Sequence, residues 1–487
     1  MNRLILFLIA FSCIIGLSAQ ESQYEAMKRE LNENSLPLVN LIVDKDRINK
    51  NEYVTGEIEI ADYLRRTDSS LESVKFHCKY KIHGASSTKY QKKSYAVKLL
   101  DESGENLDTN LFGIREENSW ILDAMAIDRI RMRNRVCFDV WNEVSKTPYQ
   151  TDFGNRNGTK GEFVEVFING EYHGLYCMTD KIDRKLLQLK KIKVEDEDIT
   201  VRGLLYKGIS WESGSKLISY KKANTDTDIW NAWELQYPDD YLSEKTWQPL
   251  MDLIDFCSES TSDEVFNQKY QEYFYSDNLA EYIVFTMVLN VCDNGYKNTF
   301  LSTTNITQGH RYLVSPWDMD MSLGGNWNGD YYDELNDMER YNYVAPFNRL
   351  LADNVDGFNN LVLEKWKEYY ATVLSVKSIC DKLKAYANKF ETSGAWQREV
   401  KKWDKNPVPL KSSLSDELEY VQNWYVRNYT YLCQQFGTSI PVPIDNVIAE
   451  GIPFHIYTPN GKAVNSLQKG MNFIRYSDGS AKKYFVK

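Results

Sequence analysis

The chain carries 487 residues, 43% of them hydrophobic, and its 58 Lys and Arg against 69 Asp and Glu leave a net charge of −11. That apolar share fills a large core and suits two or three domains, which excludes a disordered chain. The acidic balance argues against non-specific binding to nucleic acid or to anionic membrane, so no nucleic-acid partner is expected.

The chain opens MNRLILFLIAFSCIIGLSAQ: one Arg, an apolar run, then small residues at Ser18 and Ala19. This is the pattern of a cleaved secretory signal over 1–19, with the mature protein starting near Gln20. The apolar run continues past Cys13, so simple cleavage is expected ahead of lipidation. No later stretch offers about 18 consecutive apolar residues, so the mature chain is expected to lack a transmembrane segment and to be secreted, periplasmic or at the cell surface. Seven cysteines remain after residue 19, an odd number with no CxxC, and most of these read as buried thiols rather than a disulfide framework. The 33 Tyr, 12 Trp and 20 Phe are spread along the whole chain, as core packing requires.

Residues 37–60 alternate apolar and polar in short runs separated by Asn, Asp and Lys, which predicts strands. Residues 74–100 predict a strand, a small-residue turn HGASS at 83–87, and a second strand through SYAVKLL. Over 120–145 the apolar residues recur at helical intervals after an Asp, and 161–178 reads as a hairpin pivoting on Asn169-Gly170. From about 225 the pattern turns to long amphipathic helices at 243–258, 277–291, 360–392 and 413–436, the last entered through SLSD as an N-cap. A strand-rich first half and a helical second half predict an α+β protein of two lobes. After PVPID at 441–445 short strands return, and 446–487 reads as a small separate β module with Pro441 and Pro443 in its linker.

The chemistry gathers in two segments. LNVCDNGYKNTF at 289–300 places Asp293 and Asn298 five apart directly after a long apolar run. Protein kinases set a catalytic Asp and a metal-binding Asn at that spacing. Alone the spacing says little, because Asp44/Asn49, Asp46/Asn51 and Asp101/Asn106 repeat it. The downstream residues say more: TFLSTT, a turn at NITQG and HRYLVSPWDMD make a hairpin that carries the chain from this loop to Asp318 and Asp320. In kinases, too, a hairpin and a metal-binding Asp come after the catalytic loop, and two carboxylates pointing the same way suit a hard cation such as Mg²⁺.

A calcium loop over 318–329 fails, since Leu323 stands where Gly is needed and Gly329 where Glu is needed. The five His form no HExxH and there is no GxSxG, while a carboxylate-pair glycosidase stays open without a positive motif. Lys89, Lys92, Lys93 and Lys98 cluster behind HGASS, where free N–H groups of Gly84 and Ser86 could face phosphate. The same lysines also suit a solvated edge strand, and there is no Walker A or GxGxxG.

HGASSTKYQKKSYAVKL, AIDRIRMRN, VFINGEYHGLY, DNGYKN and PWDMDMSLGGNW, in that order, resemble the CotH (spore coat protein H) kinase family. The resemblance spans roughly 36–350, and NWYVRNYTYL around 427 fits the family's end. It implies an atypical two-lobed kinase domain over 20–440, with an N-lobe at 36–180 and a C-lobe at 225–437. Its implied activity is transfer of phosphate from ATP, with Mg²⁺ or Mn²⁺, to Ser/Thr of secreted or surface proteins. By the same resemblance Asp293 is the catalytic Asp, Asn298 the loop Asn, and Asp318 the metal-binding Asp with Asp320 beside it. The Lys92-Lys93 pair matches the family's KKSY pattern, which favours Lys93 over Lys98 as the nucleotide lysine. Arg133-Asn134 matches a family RN pair. Asp180 departs from the pattern, since the family usually has Glu there, which puts the reach of that carboxylate in doubt. The tail resembles a sorting-type β module. The rival reading is a non-catalytic CotH-like surface adhesin.

Overall fold

The computed structural model describes residues 21–64, 73–195, 198–295, 297–309, 311–335, 338–404, 407–440, 454–464, 468–476 and 481–486. The expected signal segment and the linker prolines lie outside these residues.

Period-two alternation builds the first half. In β1 (Leu38–Ile42), β2 (Val54–Ala61), β3 (Val74–His83), β4 (Ser94–Leu100) and β5 (Ser119–Asp123), one face carries Val39 and Leu41, Ile58 and Ile60, Cys78 and Tyr80, Val97 and Leu99, Trp120 and Leu122. All are buried in one cluster, as side chains two apart on a pleated strand must be when that face is covered. The hairpin of β6 (Gly161–Ile168) and β7 (Glu171–Thr179) turns on Asn169 and Gly170, both at positive φ, as a two-residue turn requires. These strands close a seven-stranded barrel in the order β1-β2-β3-β4-β5-β7-β6, sealed by parallel pairing of β1 with β6. Closure leaves no free sheet edge.

The strand–helix division is less clean than expected. β8 (Leu204–Gly208), β9 (Ile229–Trp230), β10 (Trp233–Tyr237), β11 (Thr299–Thr303) and β12 (Leu313–Pro316) form a second sheet, ordered β9-β10-β8-β11-β12 and wholly antiparallel. It joins segments from before and after the predicted boundary at 225. The fold is α+β, and its strand-rich first half is a closed barrel.

Two predicted helices are corrected. Residues 119–123 belong to the barrel, and α2 covers only Arg133–Val144. Asp128 decides the start: its carboxylate accepts the N–H groups of Met132 and Arg133 at 2.7 Å each, satisfying donors that a helix N-terminus leaves open. The single helix expected over 360–392 is two, α7 (Phe358–Tyr369) and α8 (Val376–Thr392). Ser375 caps the second by accepting the Ser378 N–H at 3.2 Å.

Helices α3 (Glu244–Cys257), α5 (Ser276–Leu289) and α10 (Leu414–Gln435) agree with the sequence pattern within two residues. Helices α1 (Gln23–Arg29), α4 (Asp263–Tyr273), α6 (Phe347–Ala352) and α9 (Ala395–Trp403) were not predicted. Helix α9 packs on β7, where Leu175 and Cys177, with Phe163 of β6, turn the barrel's outer face into the main core. Cys78, Cys137, Cys177, Cys257, Cys380 and Cys433 are buried thiols. Among the described residues no helix is long and apolar enough to cross a membrane.

The described part of the tail is a four-stranded antiparallel sheet over 454–486 whose strands pair only with one another. Among its described side chains, Ile456 and Val464 join the main hydrophobic cluster. Because the tail strands pair only with one another, deleting residues 446–487 is expected to leave a soluble, folded body that melts near the full chain, lower only by the loss of the Ile456 and Val464 contacts. Insolubility, or melting far below full length, would place the tail in the core.

Candidate active site

Helix α5 is apolar on all sides and buried over twelve consecutive residues, Asn278–Leu289, so it is fixed in the core before it reaches the site. It ends at Asn290, in the left-handed conformation that Asn tolerates. Asn428 of α10 donates its side-chain amide to the carbonyls of Met287 and Val288, at 3.0 and 2.9 Å, satisfying acceptors that the helix end leaves open. The chain thus leaves α5 in a set direction, and Asp293 comes three residues later.

The next residues are tied across the second sheet. The Asn298 N–H donates to the Gly208 carbonyl at 2.9 Å, and the Trp317 N–H donates to the Asn298 carbonyl at 2.8 Å. Buried Asn294 adds a second tie, donating to the Trp317 carbonyl at 3.0 Å. Asn298 and Asp318 both have positive φ, 56° and 53°. Non-glycine residues occupy that region rarely, with Asn and Asp the exceptions, so residue type and bend agree at both points. Asp293, Asn298, Asp318 and Asp320, separated by up to 27 positions in sequence, line one cavity of about 1010 Å³.

Carboxylates crowd that cavity. Asp123, at the end of β5, is a further lining residue and accepts the Asn134 side-chain amide at 3.0 Å. Asn134 also accepts the Met319 N–H at 3.1 Å, so one amide joins the barrel's carboxylate to the Asp318–Asp320 loop. The Asp318 carboxylate faces the open cavity, yet protein surrounds that cavity. Burial, and then the charge of Asp123, push its pKa up to about 6. Asp320 is pushed well up by burial and then by Asp318. Carboxylates raised by one another's charge gain from a cation among them.

Among the described residues no three His, Cys, Asp or Glu side chains stand close enough to cage a metal. Mg²⁺ at nucleotide sites takes one or two protein carboxylates and completes its shell with phosphate and water oxygens. The Asp318–Asp320 pair matches that donor set.

The turn from His83 to Ser87, with Gly84 and Ser86, lines the same cavity from the barrel side, together with Lys89. Gly84 has φ of 104°, and a Cβ there would meet the Ser87 hydroxyl at 2.2 Å, so the turn's shape depends on glycine.

The two predicted nucleotide lysines do not line the cavity. Lys93 donates to the Thr88 carbonyl and so braces the turn from behind. Lys92 is fully buried, 2.7 Å from Glu399 of α9 and 2.6 Å from the Leu175 carbonyl. Glu399 also takes Arg131 at 2.8 Å and the Leu175 N–H at 2.8 Å. Lys92 therefore bolts the barrel to a helix more than 300 residues away. Lys92→Met is expected to destabilise the protein by roughly 1.5–3 kcal/mol, the worth of a hydrogen bond to a charged group, and to leave nucleotide affinity unchanged. Denaturant unfolding and calorimetry would check the two halves separately.

Asp180, where the family usually has Glu, is buried away from the cavity. It takes the Arg115 Nε at 2.8 Å, pairs with Arg156, and accepts the Lys160 N–H at 2.8 Å. Its shorter side chain thus serves an arginine pair rather than a nucleotide lysine. Arg133 pairs with Asp128 at the start of α2, leaving Asn134 as the member of that pair that reaches the cavity.

Cavity residues that sequence reasoning missed include Asp123, Lys207 and Lys297, the last 3.0 Å from the Asp293 carboxylate. Reading SWILD as a strand would have placed Asp123 at a strand end, and alternation in LLYKG would have set Lys207 apart from its neighbours.

The family described as CotH kinase protein matches residues 80–432, most of the chain, and the chain belongs to that family. The match begins inside β3 and ends inside α10, so it takes in the HGASS turn, both carboxylate segments and the helix that caps α5. A kinase-like function goes with that membership. No curated protein matches the chain.

Proposed function

We propose that the protein is an exported, Mg²⁺- or Mn²⁺-dependent protein kinase that transfers the terminal phosphate of ATP to Ser/Thr hydroxyls of secreted or surface proteins. The observation that carries this reading is the convergence of Asp293, Asn298, Asp318 and Asp320 on one cavity roofed by the His83–Ser87 turn. In this reading the barrel and its turn act as the upper lobe, the second sheet and helices as the lower, and the nucleotide lies between them.

Each residue then has a distinct task. Asp318 and Asp320 present carboxylate oxygens to the cation, and Asn298 adds an amide oxygen beside them. The cation, when bound, offsets the charge of the phosphates. Asp293 accepts or orients the acceptor hydroxyl, and Lys297 holds its carboxylate at 3.0 Å. The turn around Gly84 and Ser86 covers the phosphates with backbone.

Purified protein incubated with labelled ATP and Mg²⁺ or Mn²⁺, scored for label on itself and on added secreted proteins, tests the reading. Metal-dependent incorporation on Ser or Thr is the expected result. Absence of transfer with both metals, alongside retained binding of surface proteins, would favour the non-catalytic adhesin.

A further inference from the structure

Resting on the nucleotide reading of this cavity, we infer that Lys207 is the phosphate-binding cation of the site. Strand register sets its direction. Residues on either side of Lys207 face the other way or lack a side chain: Tyr206 is buried in the main core with its hydroxyl on the Thr246 carbonyl at 2.6 Å, and Gly208 comes next. Alternation therefore sends Lys207 to the opposite face of β8, which is the cavity face.

The strands beside it carry the proposed metal-binding residues. Gly208 accepts the Asn298 N–H, and Asn298 accepts the Trp317 N–H, one residue before Asp318. Three adjacent strand ends thus present an ammonium, an amide and a carboxylate to one place. The Lys207 ammonium lies 5.6 Å from the centre of the Trp317 ring, and among the described residues it makes no ion pair. Lys50, Lys81, Lys89, Arg135 and Lys297 also line the cavity; Lys81 and Lys89 stand over tyrosine rings, and Arg135 and Lys297 are tied to protein acceptors. Arg135 holds the Thr159 carbonyl at 2.7 Å and Asp139 at 3.0 Å, and Lys297 holds Asp293. Burial lowers the pKa of Lys207, while the charges of Glu234 and Asp318 oppose that shift. A cation on the cavity wall that makes no ion pair among the described residues is open to a further anion, and a phosphate oxygen beside the metal carboxylates supplies it.

Binding of an ATP analogue and of inorganic tripolyphosphate, each with Mg²⁺, would be measured by calorimetry on the full mature chain and on Lys207→Met, Lys207→Arg and Lys93→Met. Lys207→Met is expected to weaken both ligands roughly 10–100-fold, the range for a lost charge-assisted hydrogen bond, with Lys207→Arg keeping part of the affinity and Lys93→Met all of it. The melting temperature of ligand-free Lys207→Met should stay near wild type, because Lys207 makes no ion pair among the described residues, so a loss of affinity is not a loss of fold. If Lys207→Met binds both ligands as wild type does, the assignment is overturned while the kinase reading stands. If wild type binds tripolyphosphate through Lys207 but transfers no phosphate from ATP, the assignment holds and the kinase reading falls. Wild type that binds neither ligand overturns both.

Discussion

Asp293→Asn is expected to lower the rate of phosphoryl transfer by about 10²–10⁴ while leaving nucleotide affinity close to wild type. The geometry separates these effects. The Asp293 carboxylate lines the cavity and its only described ion pair is with Lys297, from its own loop. The proposed metal ligands Asp318 and Asp320 sit on the next loop, held by Asn134 and by the sheet, and none of those bonds involves the Asp293 side chain. Asparagine keeps the shape and loses the charge that accepts or orients the acceptor hydroxyl. The pair with Lys297 is partly buried, with the lysine side chain 29% and the aspartate side chain 14% exposed, and asparagine can still accept from the ammonium, so the fold should tolerate the change. Initial rates with labelled ATP, paired with calorimetry on an unreactive analogue, would separate the two effects. A variant as fast as wild type would make the 293–298 loop a polar turn after a helix and nothing more.

The fold was legible where one periodicity ruled and obscure where contacts distant in sequence decided. Alternation in β1 to β4 and the Asn169-Gly170 turn could be read directly, because both are local. The 120–145 segment could not. Its apolar residues satisfy a helical spacing throughout, and only the barrel's need for a strand between β4 and β7, with Asp128 capping α2, breaks it in two. The candidate site divides along the same line. That Asp293, Asn298, Asp318 and Asp320 share one cavity could be expected, because loop, hairpin and loop succeed one another in sequence. The surroundings of the lysines could not be read in the same way, because they depend on residues far away in sequence. Lys92 lies in a basic run that suggests phosphate, but Glu399 claims it. Lys207 stands alone in sequence, and the register of β8 against β11 brings it to Asn298.

Asp318→Asn should act in opposite directions on the two states of the protein. In the metal-free state Asp318 ionises against burial and against the charge of Asp123, with its pKa pushed up to about 6 from the ordinary value of 3.8. A carboxyl raised on folding weakens the folded state as pH rises from the unfolded value through the folded one, and the penalty is complete above about pH 6. At pH 7 the neutral amide removes that penalty. Asparagine also tolerates the positive φ of this position, so the metal-free variant should melt at or above wild type. At pH 4 the advantage should disappear, because the wild-type carboxyl is then largely protonated in the fold. With Mg²⁺ and nucleotide the order reverses. A carboxylate oxygen is lost from a pair that has no third acidic ligand close enough to replace it among the described residues, so the ligand-induced rise in melting temperature should vanish and turnover should fall with it. Thermal melts of both proteins at pH 4 and pH 7, with and without Mg²⁺ and an ATP analogue, read all four states. A variant that is destabilised without ligand yet still stabilised by Mg²⁺-nucleotide would give Asp318 a structural role and remove it from the metal site.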